Sequence, residues 1–460
     1  MMVFPTHKEY IDSNSPWLGD IPAHWTTKKL KFLALVQPSN VDKKTVEGEE
    51  PVLLCNYTDV YKNEYIDGSL NFMEATANKE EIRKFSVEIG DVIVTKDSED
   101  RNDIAIPASA SENVKNLVCG YHLTQIKPKY LDGRFLLRLF QSKGFNAQFI
   151  VAANGVTRFG LPQCAIANAV SPVPPIEEQK AIARFLDHKT IQIDALIAKK
   201  QSLLDKLAEQ RTALISQAVT KGLDPSVATK DSGAAWLGKI PAHWSTSRVK
   251  FVAKVGNGST PSRDNPDYWF DGDFPWLNSS VVNREVVDSA DQFVTGVALK
   301  ECHLPIIEPP AVLVGITGQG KTRGMSSKLT FRATINQHLV YVKPYADSIN
   351  VDYLHHIFER AYAYLRNESD AGGSTKGAIT CSQIENLAIP LPPLAEQEQI
   401  VRFVDEDYSR ISRLQKKVKA ALQRLQEYRA ALITNAVTGK IDVRDFCIPT
   451  TTEQREVAHG

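Results

Sequence analysis

Apolar residues recur at alternating steps of three and four through two long stretches of the chain. In the first they are Ile182, Leu186, Ile193, Leu196, Leu203, Leu207 and Leu214. In the second they are Ile400, Val404, Ile411, Leu414, Ala421, Leu425 and Leu432, each displaced by 218 positions. This is an a/d stripe sustained for about five heptads, interrupted in the first copy by Lys189 and Lys200. No Pro or Gly falls inside either run, and Gly222 and Gly439 stand where C-terminal caps are expected. A helix of about 45 residues extends roughly 65 Å and, with one apolar stripe, needs a partner. The other copy is the obvious one, packed antiparallel so that the two halves are related by a pseudo-two-fold axis.

The repeat extends beyond the stripes. Pro174-Pro175-Ile176-Glu177-Glu178-Gln179 returns as Pro392-Pro393-Leu394-Ala395-Glu396-Gln397. Trp17-Leu18-Gly19-Asp20-Ile21-Pro22-Ala23-His24-Trp25 returns as Trp236-Leu237-Gly238-Lys239-Ile240-Pro241-Ala242-His243-Trp244, at an offset of 219. Repetition at a long fixed offset means two copies of a domain-sized unit. The paired Trp residues read as anchors of a segment packed at a domain edge, and the pattern assigns no chemistry to His24 or His243.

Between these flanks the pattern mixes periods. Asp91-Val92-Ile93-Val94-Thr95 reads as a strand after a turn at Gly90, another strand lies within 117–126, and 133–149 has the apolar spacing of a helix. The region is an α+β domain of about 145 residues. Its counterpart, 248–390, keeps the order of elements with little identity in its middle. Residues 1–173, 174–222, 223–391, 392–441 and 442–460 are thus read as first domain, first helix, linker with second domain, second helix and tail.

Composition narrows the class. The chain has 460 residues, zero net charge and six scattered cysteines without a Cys-x-x-Cys pair. That predicts neither a disulfide framework nor a zinc site, and fits a reducing cytoplasm. Cys302-His303 alone makes no metal site. With no apolar run near 20 residues, neither secretion nor membrane insertion is expected. The charge is uneven, however. Residues 133–176 carry Arg134, Arg138, Lys143 and Arg158 without an acid, and 309–346 carry Lys321, Arg323, Lys328, Arg332 and Lys343 likewise. Such stretches predict local electropositive surface.

Two motifs compete for chemistry. Gly315-Ile316-Thr317-Gly318-Gln319-Gly320-Lys321-Thr322 satisfies the phosphate-loop pattern, but the residues after Thr322 read as strand rather than helix, and no downstream Asp-ended strand supplies a second motif. Asn265-Pro266-Asp267-Tyr268 falls one Pro short of an amino-methyltransferase motif. Asn154-Gly155-Val156-Thr157-Arg158, by contrast, aligns with Gly372-Gly373-Ser374-Thr375-Lys376 just ahead of each long helix. Each offers a Gly for close approach, a hydroxyl and a cation, as phosphate and base contacts require.

The chain resembles the DNA-specificity subunit of Type I restriction-modification enzymes, through the Pro-Pro-x-x-Glu-Gln helix starts and the Trp-Leu-Gly-x-Ile-Pro-x-His-Trp segments. Gly258-Ser259-Thr260-Pro261-Ser262 with Tyr268-Trp269, Val94-Thr95-Lys96-Asp97-Ser98, and Ala333-Thr334-Ile335-Asn336-Gln337 carry it further. The resemblance implies two target-recognition domains separated by the two helices, each reading half of a split, asymmetric site in double-stranded DNA. It implies no catalytic centre and no cofactor of this chain's own. Two methyltransferase subunits with S-adenosylmethionine, joined by restriction subunits with ATP and Mg, are the implied partners, docked on the helices and Trp segments. The candidate DNA contacts are Lys96, Arg101, Asn154, Thr157 and Arg158 in the first domain, and Lys321, Arg323, Thr375 and Lys376 in the second. Gly258, Thr260, Tyr268 and Trp269 would mainly shape the domain. An NTP-binding protein acting through the 315–322 loop, and a DNA-binding scaffold without partners, are the alternatives.

Overall fold

The computed structural model describes residues 4–318, 320–371 and 377–448. The chain divides into two compact units: residues up to Gln201 together with those from Lys419 onward, and Ser202–Val418. Each long helix, Ile176–Lys221 and Leu394–Val437, therefore begins in one unit and ends in the other.

The two units repeat one topology. The first has a five-stranded sheet in the order Ala34–Pro38, Leu123–Pro128, Val92–Thr95, Pro107–Ala110, Tyr65–Ile66. The second has Ala253–Asn257, Leu339–Pro344, Ala311–Gly315, Ser326–Leu329, Val286–Val287 in the same order. In both, only the last pair is parallel. A three-stranded sheet around Glu50–Cys55 in one and Phe274–Leu277 in the other completes each domain. The central strands are apolar without alternation because both faces are covered. Val92 and Val94 enter the core shared with the long helices, while Ile93 enters the one under the small sheet. Val312 and Val314 part from Ala311 and Leu313 in the same way.

The helical stretch expected over 133–149 is two helices, Gly133–Gln141 and Lys143–Ala152. Ser142 between them is extended, with its hydroxyl donating to the Leu139 carbonyl at 2.7 Å, so a side-chain hydrogen bond competes with the helical ladder. The break lets Phe140 and Phe149 stack at 5.2 Å.

Within the first unit, Ile182, Phe185, Leu186 and Ile193 of the first helix share a core with Leu432, Ile433, Ala436 and Val437 of the second. Asp194 meets Arg429 at 2.8 Å and Phe185 meets Phe446 at 4.9 Å, so the segments run antiparallel there. Within the second unit, Ile215, Ala218 and Val219 pack with Ile400, Val401 and Val404, and the Arg211 guanidinium lies 4.4 Å above the Tyr408 ring. The stripe is not buried throughout. Leu196, Leu203 and Leu414 remain 48, 42 and 45% exposed, because apolar cover is dense only where a globular domain supplies it.

The repeated motifs fasten the helix ends. Gly222 and Gly439 adopt φ of +74° and +72°, closing each helix in the left-handed conformation. Trp244 packs 3.2 Å from where a Cβ on Gly222 would stand, and Trp25 packs 3.1 Å from the same point on Gly439. Trp25 and Trp244 are thus buried, so this Trp of each segment is core and offers no docking surface. At the helix starts, Gln179 Oε1 accepts from Asp132 N and Gln397 Oε1 from Asn350 N, both at 2.8 Å. His24 bonds Glu178 and His243 bonds Glu396, again both at 2.8 Å.

A polar cluster sits where domain meets helix in each unit. In the first, Arg138 binds Glu64 at 2.7 Å and Asp187 at 2.9 Å, and Arg429 binds Glu64 at 2.9 Å. In the second, His356 replaces the arginine. Its Nδ1 meets Glu359 at 2.9 Å, its Nε2 lies 3.6 Å from Asp405, and Arg211 holds Glu359 at 2.6 Å. Burial pushes the His356 imidazolium down, but the Asp405 and Glu359 carboxylates outweigh it and raise the pKa. Neighbouring His355 is lowered by burial. A raised folded-state pKa stabilises fully below the ordinary value and is lost as pH climbs through the raised one. His356→Gln should therefore cost more stability at about pH 6 than at about pH 8, measured by urea unfolding of both proteins; a pH-independent difference would contradict the assignment.

Candidate nucleic-acid interface

The loops ahead of the long helices meet the ends of the central strands at equivalent points. In the first unit Asp97 pairs with Gly160, Leu161 N donates to Lys96 O at 2.8 Å, and Lys96 N donates to His122 O at 3.1 Å. In the second Thr317 bridges Ala378, Ile379 N donates to Ile316 O at 2.8 Å, and Ile316 N donates to His338 O at 3.0 Å. One backbone frame thus presents Lys96, Asp97 and His122 in one half and Ile316, Thr317 and His338 in the other.

The side chains on that frame differ. Asp97 is a two-sided acceptor, meeting His122 Nδ1 and Arg158 Nη2 each at 2.6 Å. Arg158 is 60% exposed, so its remaining N–H groups face solvent and can donate to phosphate or a guanine edge. The Asp97 hydrogen bond raises its pKa further, keeping it charged. Lys96 places its ammonium 4.7 Å above the Tyr121 ring and 3.2 Å from Ser39 O, and burial lowers its pKa. Tyr121 is exposed beside His122, at 4.1 Å between ring centroids. His122 itself has φ of +73°, a strained conformation for a bulky residue.

In the second half, Thr317 Oγ1 and His338 Nδ1 are 2.7 Å apart, Gln337 Nε2 stands 3.4 Å from His338 Nε2, and Thr260 Oγ1 meets Gln337 Oε1 at 2.5 Å. Arg263 stacks 3.8 Å from the Trp269 ring centre. Among the described residues no carboxylate enters this chain of contacts, so amide, hydroxyl and imidazole groups make it up. Gly258 is required there: a Cβ would collide with the Ile335 carbonyl.

The sequence-derived candidates fare unequally. Asn154 and Thr157 are exposed on the loop beside Arg158, and Asn154 exchanges backbone hydrogen bonds with Gly160. Gly155 has φ of +136° and no room for a side chain against the Arg158 carbonyl. Arg101 donates to the carbonyls of Ile150, Val151 and Ala153, which end the helix Lys143–Ala152, so it caps a helix C-terminus. Arg323 is 4% exposed and ion-paired to Asp370 at 2.8 Å, which turns it inward. Lys321 is exposed. Thr375 and Lys376 lie outside the described residues.

The acid-free stretches do not form the bare positive surfaces expected of them. Arg138 is buried with Glu64 and Asp187, Arg134 faces Asp187, Lys328 meets Asp352 and Arg332 meets Glu308, all with acids remote in sequence or outside the stretch. The 315–322 loop is also not a phosphate cradle. Its chain turns back into Ser326–Leu329, antiparallel to Ala311–Gly315, and no helix N-terminus follows. Asp97, Tyr121, His122, Gln337 and His338 were missed as candidates. The signal was present: His122-Leu123 followed by Lys127-Pro128 returns as His338-Leu339 followed by Lys343-Pro344.

The profile of the type I restriction modification DNA specificity domain matches residues 25–205 and 241–424. The chain is 23% identical over 437 residues to a putative type I restriction enzyme MjaX specificity subunit of Methanocaldococcus jannaschii, covering 93% of this chain and 96% of that one. It is 27% identical over 157 residues to the EcoR124I/EcoR124II specificity subunit of Escherichia coli, covering 34% and 38%. A solved chain from work on complex assembly and conformational transition of the type I R-M system shares the fold, with a TM-score of 0.70 at 16% identity over 91% of this chain and 98% of that one. Two matched domains, the duplicated sheets and the two long helices together place this chain in the type I restriction-modification DNA specificity family.

Proposed function

We propose that this chain reads a split, asymmetric site in double-stranded DNA, one part with each domain, and directs adenine methylation or cleavage carried out by other subunits. The observation that carries this reading is the common backbone frame at Asp97 and Thr317 bearing unlike side chains. The same strand ends hold a charged Asp97–Arg158 pair in one domain and a Thr317–His338–Gln337 chain of hydroxyl, imidazole and amide in the other. Unlike donor and acceptor sets on one scaffold suit unlike base sequences. Two methyltransferase subunits holding S-adenosylmethionine, and restriction subunits using ATP and Mg, are the partners on this reading. The exposed Leu196, Leu203 and Leu414 offer them apolar contact. The chain itself performs no bond-making step and works in the cytoplasm; no helix among the described residues is long and apolar enough to cross a membrane.

Arg158→Ala should weaken binding to a cognate duplex and lower the slope of log affinity against log salt by about 1, measured with the assembled methyltransferase. Unchanged affinity and slope would remove Arg158 from the interface. Loss of the methylated motif from the host genome on deletion of the chain tests the reading as a whole.

A further inference from the structure

The His24–Glu178 pair has a feature that its counterpart His243–Glu396 lacks. Both hydrogen bonds are 2.8 Å long, and in the second unit that bond is a simple strut between a Trp segment and a helix start. In the first unit His7 lies against the pair, with its Nε2 3.7 Å from the other Glu178 oxygen. The His7 side chain is 3% exposed, yet neither ring nitrogen has a hydrogen-bond partner. Leaving such a group buried and unpaired is unfavourable, which marks the position as made for something else. On the offset of 219 that aligns strand Tyr10–Asp12 with Thr229–Asp231, the residue matching His7 is Ser226. The third group is therefore peculiar to one half.

We propose that His7, His24 and Glu178 bind one divalent transition-metal ion, with zinc the best match to the donor set. Two imidazoles and one carboxylate are a common protein complement for zinc with a fourth position left to solvent, and His24, 40% exposed, gives that access. The ligand atoms all lie within 4.8 Å of one another, and tetrahedral ligands about 2.0–2.1 Å from zinc stand about 3.3 Å apart. His24 Nε2 lies 2.8 Å from one Glu178 oxygen and His7 Nε2 3.7 Å from the other, so both imidazoles face the one carboxylate. Asp442 sits 3.7 Å from His7 Nδ1, behind the ring, where a carboxylate orients a ligating histidine. The ion would join the N-terminal segment, the Trp segment and the first long helix. A second cluster, His355, His356 and Glu359, is disfavoured because the Arg211 guanidinium already holds Glu359 at 2.6 Å.

The test is Co2+ titration of the chelator-stripped full chain, read by visible d–d absorption and by competition with Zn2+. Wild type should take up one equivalent and gain thermal stability with Zn2+. His7→Ala and His24→Ala should abolish the band, while His243→Ala and His356→Gln should keep it. Asp442→Asn should weaken uptake about 10–100-fold. His24→Ala removes an exposed ligand without opening the core, so it remains informative if His7→Ala does not fold. Wild-type uptake no greater than that of His24→Ala, or uptake abolished by His356→Gln instead, overturns the proposal.

Discussion

Arg138→Ala is expected to destabilise the first unit by about 3–5 kcal/mol, the usual loss when one member of a buried charge network is removed. The guanidinium is 1% exposed and is held by Glu64, Asp187, Gln141 and the Tyr65 hydroxyl. Its removal leaves Glu64 with Arg429 and Gln141, and Asp187 with Arg134 at 3.4 Å and the Tyr65 hydroxyl. Glu64 shows how much the network matters. Burial drives its pKa up, and Arg138, Gln141 and Arg429 more than reverse that. A depressed carboxylate pKa stabilises above its ordinary value, and that stability is lost as pH falls through the folded value. The Arg138→Ala deficit should therefore shrink in acid. Urea unfolding of wild type and variant at several pH values checks both magnitude and sign; a deficit under about 1 kcal/mol would place the pair among solvent-screened ones.

Trp25→Ala and Trp244→Ala should each cost about 3–5 kcal/mol, as large buried side chains do, but in different units. Trp25 lies under Gly439 with Pro22, and Trp244 under Gly222 with Pro241. Each change leaves a cavity beneath the end of a helix that began in the other unit. Hydrogen exchange resolved by peptide should show Trp25→Ala loosening the segment after Lys419, and Trp244→Ala the segment before Gly222. Combining Trp244→Ala with Gly222→Ala should give less than the sum, since the indole is the nearest group to the new methyl, at 3.2 Å. Simple additivity would show that the two residues do not share that contact.

Much of the architecture was legible because its signals are periodic or repeated. The stripes from Ile182 and Ile400 and the glycines at 222 and 439 stand where pattern places them, and the strand expected over 91–95 is found at Val92–Thr95. The stripe failed at Leu196, Leu203 and Leu414, since heptad spacing cannot say where a globular domain lends cover. The site was less legible for a related reason. Counting acids within a stretch ignores partners brought from afar: Asp187 meets Arg138 across 49 positions and Asp97 meets Arg158 across 61. Arg101 and Arg323 looked like free cations and are spent on a helix end and on Asp370. His122 and His338 carry no anomalous spacing of their own; only aligning the strands after them brings out their equivalence.

The division of the chain has a consequence for biosynthesis. The second unit, Ser202–Val418, is one continuous segment, whereas the first is closed by residues after Lys419. Leu432, Ile433, Ala436 and Val437 fill a core whose other walls, Phe135 and Leu186 among them, leave the ribosome some 250–300 positions earlier. The half made first is thus the half completed last. Until the helix Leu394–Val437 has emerged, the apolar face of Ile182, Phe185 and Leu186 has no helix to cover it. That interval is when the nascent chain is most exposed to aggregation, to capture by a chaperone, or to pairing with the same segment of a neighbouring copy.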